Sequence, residues 1–249
     1  MKLLEVKGLS VVYDSEEVVS NCSFDLNEGE IVVLLGASGE GKTSILKSIA
    51  GKLQPARGEI SFRSEWVKGP QDQLIPGRDE IQIVDQDFAL DEYHTVRENV
   101  RLKLLQFDEV YRSEKTEELL ELVGLTEQAD QKAKLLSGGQ KQRLSIARAL
   151  ALEPELLLLD EPFNQLDFKS KNRITSYLRS YFMERGLTVL MVTHNGLEAM
   201  EWADRIIYLE EGEIRRIASP SDFYHSPQSE EEATFFGVVN EVKLDGGEI

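Results

Sequence analysis

The sequence predicts an α/β fold with a mainly parallel sheet, an N-terminal antiparallel β subdomain and an inserted helical lobe. Short apolar stretches separated by turn-prone residues fill residues 1–30 and are typical of antiparallel strands and hairpins. From Ile31 onward, apolar runs alternate with helical periodicity, which favours a parallel sheet covered on both faces. Residues from about 88 to 135 are rich in Glu, Lys, Arg and Leu at helical spacing, which indicates the lobe.

Individual strands and helices follow from these patterns. Helical periodicity predicts helices in Val96–Leu105 and Glu114–Val123, and the acidic run Glu230–Glu232 is predicted to be a solvated helix face. The predicted core strands are apolar runs, namely Ile31–Leu35, Ile81–Val84, Leu156–Leu159, Leu187–Val192 and Ile206–Leu209. We expect one domain over 1–249, divided into a core with its β subdomain (1–87 and 136–218), a helical lobe (88–135) and a C-terminal tail (219–249).

Composition limits the classes of function. The chain has 249 residues and a formal net charge of −17, from 45 acidic and 28 basic residues. This balance argues against a protein that grips nucleic acid over its surface, so no nucleic-acid partner is expected. The single cysteine, Cys22, excludes an intrachain disulfide and suits a reducing compartment. No signal peptide is recognisable, and no apolar run approaches the roughly 20 residues that cross a bilayer. We therefore expect a cytoplasmic protein.

The octapeptide Gly36–Thr43 is the most informative motif, because it fits G-x-x-x-x-G-K-[ST]. It follows the predicted strand Ile31–Leu35 and precedes a helical pattern over Ser44–Gly51. Backbone N–H groups of such a loop and the dipole of the following helix attract phosphate. Lys42 is expected to reach the β- and γ-phosphates, and the Thr43 hydroxyl to bind Mg²⁺. The sequence thus predicts a P-loop NTPase core that binds a nucleoside triphosphate.

A pair of acidic residues suited to phosphate chemistry follows the run Leu156–Leu159. Asp160 ends this predicted strand and can hold the Mg²⁺ shared with Thr43. Glu161 comes next, where it could act as general base or orient the attacking water. Paired acids also occur at ordinary loop starts, but the upstream phosphate loop favours the catalytic interpretation.

The segment Leu136–Gln140 predicts a second helix N-terminus that can bind an anion. Ser137 can cap a helix that runs through Gln142–Leu150, and two glycines permit close backbone approach. One nucleotide cannot easily use two such helix starts within a single subunit. We therefore expect this start to close on the γ-phosphate held by another subunit.

With these motifs in this order, the chain resembles the ATP-binding cassette (ABC) ATPases, the nucleotide-binding subunits of ABC transporters, over nearly its full length. Gly36–Thr43 is similar to their Walker A loop, Leu136–Gln140 to their LSGGQ signature, and Leu156–Glu161 to their Walker B strand with its catalytic glutamate. The resemblance implies ATP and Mg²⁺ as cofactors. It also implies an ATP-sandwich dimer with a second copy and, as partners, transmembrane permease subunits.

The resemblance extends to single residues. Gln86 lies where the family has its Q-loop glutamine, which senses Mg²⁺ or water and faces the membrane subunit, although a surface glutamine is the ordinary alternative. His194 is similar to the switch histidine that contacts the γ-phosphate, and a core histidine is its alternative. Tyr13 lies where the family stacks an aromatic on adenine, or is a strand aromatic.

Four residues depart from the commonest family pattern. Asn164 and Gln165 replace the usual small residues of the D-loop, and Asn195 replaces the aspartate that often follows the histidine. Asp85 precedes Gln86 where an aromatic residue is frequent. None of these changes removes a group that phosphate chemistry needs.

The site predicted from the motifs and the resemblance has three parts. The catalytic residues are Glu161, His194 and Gln86. The nucleotide is expected to contact Tyr13, Gly36, Ala37, Ser38, Gly39, Glu40, Gly41, Lys42, Thr43, Ser44, Ser137, Gly138, Gly139 and Gln140. The Mg²⁺ bound with ATP is expected to contact Thr43, Gln86 and Asp160.

The tail bears on the direction of transport. The stretch Thr193–Arg205, followed by Ser219–Pro227 and Ala233–Gly237, is similar to the tail of importer subunits for polyamines, ferric iron, sulfate and sugars, in which a small β regulatory domain usually follows. This resemblance predicts an importer ATPase, without that regulatory domain, on the inner face of the cell membrane through its permease. A substrate-binding protein is a further candidate partner. An exporter ATPase and a non-transport cassette ATPase are the alternatives.

Overall fold

The computed structural model describes residues 1–13, 15–85, 87–165 and 168–237, except the side chains of 168–170, 172 and 173. The strands are β1 (Lys2–Tyr13), β2 (Glu16–Asn27), β3 (Ile31–Leu35), β4 (Arg57–Phe62), β5 (Glu65–Trp66), β6 (Ile81–Val84), β7 (Leu156–Asp160), β8 (Thr188–Thr193), β9 (Arg205–Glu210) and β10 (Glu213–Ala218). The α-helices are α1 (Lys42–Ile49), α2 (Val96–Arg101), α3 (Glu109–Leu122), α4 (Gly138–Leu150), α5 (Phe168–Arg185), α6 (Gly196–Trp202), α7 (Pro220–His225) and α8 (Glu230–Thr234).

The larger sheet has the strand order β10-β9-β3-β8-β7-β6. Its central strand β3 pairs in parallel with β8 and β9, and β7 pairs in parallel with β6 and β8. Only the β9–β10 pairing of this sheet is antiparallel within the described ranges. Every residue of β3 and β7 is buried, because helices or the second sheet cover both faces. The prediction of a mainly parallel core sheet is confirmed.

The second sheet has the order β2-β1-β4-β5 and is antiparallel throughout. The long β1–β2 hairpin pairs from Lys2 with Asn27 to Tyr13 with Glu16. Its buried side chains share one apolar cluster with Ile45 of α1 and with one face of the larger sheet. Helix α1 therefore lies in the layer between the two sheets, which fixes the direction of its N-terminus.

The helices between 88 and 135 start at side-chain caps. Thr95 and Glu98 form a reciprocal capping box at α2, and the Asp108 side chain accepts a hydrogen bond of 3.0 Å from the backbone N–H of Tyr111 at α3. Because of this cap, α3 begins at Glu109 and is one turn longer than the sequence pattern predicted. Helix α5 was not predicted, although Leu178 and other buried residues at helical spacing line its inner face.

The tail packs against the outer strands of the larger sheet. Phe223 of α7 and Phe235 after α8 both contact the Tyr208 ring, with centroids 6.4 and 5.8 Å away. The prediction of a solvated acidic face is wrong for Glu232, which is 3% exposed and lies 2.7 Å from the Arg216 guanidinium. Across the described residues, none of the helices combines the length and the apolar character that a membrane span requires.

Candidate functional site

A cleft of about 450 Å³ opens where β3, β7 and β8 end. These strands are neighbours and run in parallel, so their carboxyl ends meet at one edge of the sheet, where α/β proteins bind ligands. The lining residues are Tyr13, Val18, Ser38, Gly39, Gly41, Lys42, Thr43, Ser44, Glu161 and Val192. Of these, Val18 and Val192 were not predicted, since an apolar residue on a strand carries no motif that marks it as a cleft wall.

The glycine-rich loop leads into α1 without a side-chain cap. Gly41 is the N-cap residue, with φ 87°, in the left-handed region that favours glycine. A Cβ atom there would lie 2.4 Å from the carbonyl oxygen of Val18, so no other residue fits without displacing β2. Because no side chain accepts from its first turn, α1 presents backbone N–H donors towards the cleft.

Lys42 is the buried cation of the loop. It is 5% exposed, and its Nζ donates to the carbonyl oxygen of Ala37. Burial lowers the pKa of the ammonium group, and the carboxylates of Glu161, Glu40 and Asp160 oppose that shift. A buried ammonium in a cleft, beside the uncapped start of α1, favours a phosphate ligand.

Gly36 and Glu40 hold the loop in place and do not line the cleft, unlike Ser38 and Gly39. Gly36 packs against β9, where a Cβ atom would lie 2.4 Å from the Leu209 carbonyl oxygen. The carboxylate of Glu40 accepts a 3.3 Å hydrogen bond from the backbone N–H of Gly212 in the β9–β10 turn. These contacts tie the loop to the edge of the larger sheet.

Thr43 and Asp160 meet although 117 positions separate them. The Thr43 Oγ1 hydroxyl donates to Asp160 Oδ2 at 2.8 Å. Asp160 is 2% exposed, and its second oxygen, Oδ1, is buried without a hydrogen-bond partner among the described residues. Burial raises the pKa of this carboxyl, while the Thr43 hydrogen bond opposes the rise. A hydroxyl beside an unsatisfied carboxylate oxygen fits the oxygen-ligand chemistry of Mg²⁺.

Glu161 and His194 form a second contact at the same edge. The Glu161 backbone lies in the left-handed region, with φ 48°, and its N–H donates to the Val192 carbonyl at 3.0 Å. This conformation directs the side chain into the cleft. His194 Nδ1 lies 2.9 Å from Glu161 Oε1, and the Asn164 amide donates to Glu161 Oε2. In the sequence Asn164 is a departure from the family pattern, and nothing there indicates this contact.

Asn195 keeps a structural role despite departing from the family pattern. It is the N-cap of α6, and its Oδ1 accepts from the backbone N–H groups of Leu197 and Glu198 at 2.9 and 3.4 Å. An aspartate would make the same two hydrogen bonds. The cap fixes the chain direction immediately after His194.

The Ser137–Gln140 segment lies apart from the cleft-lining residues described above. Ser137 caps α4 as predicted: its Oγ accepts from the Gln140 N–H at 3.3 Å, and Gln140 Oε1 accepts from the Ser137 N–H at 2.9 Å. Gln165 reaches over Gly138, where a Cβ atom would lie 2.3 Å from the Gln165 side-chain oxygen. Ser137 and Gly138 are exposed.

Two further residues of the predicted site are Tyr13 and Gln86. Tyr13 lines the cleft at the end of β1 and is 43% exposed. Gln86 lies outside the described residues. Its neighbour Asp85 forms an ion pair of 2.9 Å with Lys52.

The comparison with protein families agrees with this geometry. Residues 19–164, more than half of the chain, match the family described as ABC transporter. The chain belongs to the ABC transporter family. It is 39% identical over 254 aligned positions to a sulfate/thiosulfate import ATP-binding protein, CysA, of Bradyrhizobium diazoefficiens, covering 98% of this chain and 72% of that protein. It is 37% identical to a spermidine/putrescine import ATP-binding protein, PotA, of Thermotoga maritima, covering 99% of this chain and 66% of that one.

Solved structures give the same family likeness. The dimeric post-hydrolysis state of the ATP-binding cassette MJ0796, bound to ADP and Pi, has a TM-score of 0.79 and 32% identity, covering 88% of this chain and 99% of that chain. A cbiO1 subunit from Clostridium perfringens, part of the ABC transporter complex cbiONQ, has a TM-score of 0.78 and 26% identity, covering 89% of this chain and 90% of that one. The predicted fold class is confirmed.

Proposed function

We propose that this chain is the ATP-binding and ATP-hydrolysing subunit of an ABC importer and powers transport through a partner permease. One observation carries the proposal. The Thr43–Asp160 hydrogen bond and the Glu161–His194 contact lie at one edge of the sheet, beside the uncapped start of α1. N–H donors that can bind phosphate, a cation site and a base therefore face a single cleft. The names of curated relatives, which are import ATP-binding proteins, support the direction of transport.

In this proposal each group of the chain has one task in hydrolysis. The N–H groups of the loop and Lys42 bind the phosphates of ATP. Thr43 and Asp160, with Gln86 as a further ligand, hold Mg²⁺, which when bound neutralises charge on the phosphate oxygens. Glu161 takes a proton from the attacking water, and His194, whose Nδ1 contacts Glu161, is the residue that contacts the γ-phosphate.

A second copy completes each ATP site. Within this chain Ser137–Gln140 does not contribute to the cleft lining, yet it presents an exposed helix start that suits an anion. We place this start on the γ-phosphate held by the other copy, while Tyr13 of the first copy stacks on adenine. The dimeric state of the related MJ0796 cassette supports this arrangement.

The permease surface is a groove between the core and the helices of 88–135. It has a volume of about 450 Å³, and Ile83 and Phe88 are among the residues that line it. Four cations, Lys52, Arg78, Lys103 and Arg148, line it beside one carboxylate, Asp79, in a chain whose formal net charge is −17. Burial lowers the pKa of Lys103, and the neighbouring cations Arg148 and Lys52 lower it further. This charge favours a cytoplasmic permease segment that carries carboxylates.

Apolar side chains at the groove add a second chemical requirement. Ile75 lines the groove and is 84% exposed, and its neighbour Leu74 is fully exposed. Contiguous exposed apolar residues at a groove mark an interaction site. The permease segment should therefore combine apolar residues with its carboxylates. Docking there would hold the chain at the inner face of the cell membrane.

The enzymatic part is tested by ATPase kinetics of the purified chain. We expect Mg²⁺-dependent ATP hydrolysis whose specific activity rises with protein concentration, because a complete site needs two copies. Omission of Mg²⁺ should abolish the activity. Specific activity that stays constant down to nanomolar protein would contradict the shared site, and the absence of hydrolysis at every concentration would contradict the ATPase.

The transport part is tested by co-purification from detergent-solubilised membranes. A protein with several membrane spans should co-purify with the chain, and Lys103→Glu should weaken this association. Lys7→Glu is the matched control, since Lys7 lies on β1 and is exposed. The co-purified complex in vesicles should take up substrate in the direction of import. Efflux would favour an exporter, and failure to retain any membrane protein would argue against transport.

A further inference from the structure

The residues after β7 form a tight turn that brings the chain back to Glu161. The Asn164 N–H donates to the Glu161 carbonyl at 3.4 Å, and Pro162 at the second turn position has its φ fixed by the ring. Phe163, at the third position, is 2% exposed and stacks on Trp202 with ring centroids 5.1 Å apart. A proline and a buried aromatic ring therefore fix the position of Asn164.

The turn brings two side chains together. The Asn164 Nδ2 amide donates to Glu161 Oε2, while His194 Nδ1 contacts Glu161 Oε1 at 2.9 Å. A carboxylate has two oxygens with about four acceptor positions, so one donor on each oxygen fixes its plane and leaves further lone pairs free. The Glu161 side chain is only 17% exposed and lines the cleft. The two donors thus orient a carboxylate that still has an acceptor position for water.

We propose that Asn164 is a positioning residue for hydrolysis, which acts by holding the Glu161 carboxylate in the plane from which it accepts a proton. This inference rests on the proposed function. In the step, the water oxygen forms a bond to the γ-phosphorus while one water proton moves to Glu161. The bond from the γ-phosphorus to the β–γ bridging oxygen breaks, and its electrons remain on ADP. Asn164 neither gives nor takes a proton.

The decisive variant is Asn164→Asp. Aspartate has the same shape and suits a turn as well as asparagine does, but its carboxylate cannot donate and repels Glu161. Because the hydrogen bond to the charged carboxylate is lost and a repulsion is added, kcat should fall about 10-fold to 100-fold. The KM for ATP and the nucleotide affinity should stay within about twofold, since Asn164 does not line the cleft.

Two further variants separate the lost hydrogen bond from the added charge. Asn164→Ala removes the donor without a new carboxylate, so its kcat should lie between those of wild type and Asn164→Asp. Asn21→Asp is the matched control, because the exposed Asn21 side chain lies beside Gly8 in the β1–β2 hairpin and should leave kcat unchanged. Thermal unfolding of each variant should stay close to that of wild type.

The outcomes distinguish this inference from the function on which it rests. A wild-type chain without ATPase activity would overturn the proposed function and the inference together. An active wild type with Asn164→Asp and Asn164→Ala within twofold of its kcat would overturn the inference alone. A change confined to KM or to the unfolding temperature would also overturn it, because a positioning role requires an effect on kcat.

Discussion

Helices α1 and α4 both begin at glycine-rich turns that the sequence predicts to attract phosphate, yet their first turns differ. Helix α1 has Gly41 as its N-cap residue and no side-chain cap. Helix α4 has a complete capping box, in which Ser137 and Gln140 satisfy one N–H each. Each helix has the positive end of its dipole at its N-terminus, so the two starts differ in how many backbone N–H groups already have an acceptor.

The first turn of α1 therefore needs a ligand to satisfy its N–H groups, whereas the first turn of α4 is capped by its own side chains. The free N–H donors of α1 lie in a cleft with Lys42 and Thr43, where a phosphate of a nucleotide bound by the same chain can accept from them. The start of α4 is exposed and has its own side chains as partners, as expected for a surface presented to another copy. We therefore expect substitutions at α1 to weaken ATP binding by a single chain, and substitutions at α4 to weaken the dimer without changing that affinity.

The largest effect is expected for Lys42→Met at α1. Loss of the ammonium group removes a charged contact to the phosphates, so ATP affinity should fall by about 100-fold or more. Without nucleotide, the free energy of unfolding should change by less than about 1 kcal/mol, since the substitution also removes a buried charge. Calorimetric ATP titration and denaturant unfolding measure the two quantities. Retained affinity would mean that α1 binds phosphate through its backbone alone.

Glu161→Gln should separate binding from chemistry at the cleft. The amide keeps the size of the side chain but cannot act as a base, so kcat should fall about 100-fold to 1,000-fold while ATP affinity is preserved. An ATP-dependent dimer should then accumulate, as measured by light scattering with and without ATP. Near-normal turnover would remove Glu161 from the role of base.

Ser137→Ala tests the capped start of α4. Loss of the cap should destabilise the chain by about 1 kcal/mol and leave the ATP affinity of a single chain unchanged. ATP-dependent dimer formation and hydrolysis should weaken several-fold, because the variant alters the face presented to the second copy. Ser229→Ala is a control, since Ser229 caps α8 in the tail. A drop in single-chain ATP affinity would contradict the division between the two helix starts.

Much of the geometry of the cleft could be predicted because the motifs depend on local order. Strand, turn and helix start follow one another in the chain, and parallel strands bring Thr43 and Asp160 to one edge whatever the connections between them. The capping box at Ser137 is likewise local, since its two partners lie three residues apart. The cap depends on backbone geometry within one turn, and the Thr43–Asp160 contact depends on the parallel order of the strands.

The remaining features depend on side chains that meet only after folding. Glu232 is buried because Arg216 on β10 reaches it, and nothing in an acidic run indicates that partner. The Asn164 contact depends on the turn that Pro162 and Phe163 fix, and on the side-chain torsions of Glu161. Val18 became a wall of the cleft through the register of the β1–β2 hairpin.

The smallest effect concerns the ion pairs that hold the C-terminal end of α4 against α3. Lys115 on α3 is 3% exposed and lies 2.8 Å from Glu153, which follows α4. This hydrogen bond lowers the pKa of Glu153 from its ordinary value of 4.5. A lowered carboxyl pKa stabilises the fold at pH values above the unfolded pKa, and that contribution is lost as the pH falls through the folded pKa.

Glu153→Gln should therefore lower the free energy of unfolding by about 1 kcal/mol or less at pH 7, because solvent screens a half-exposed carboxylate. The difference from wild type should shrink as the pH falls from 4.5 through the lowered pKa of folded Glu153, since the folded wild-type carboxyl then becomes protonated as well. Denaturant unfolding from pH 7 down to pH 3 measures this convergence. A difference that stays constant over this range would assign the effect to packing. ATP affinity should not change, because this end of α4 lies outside the cleft.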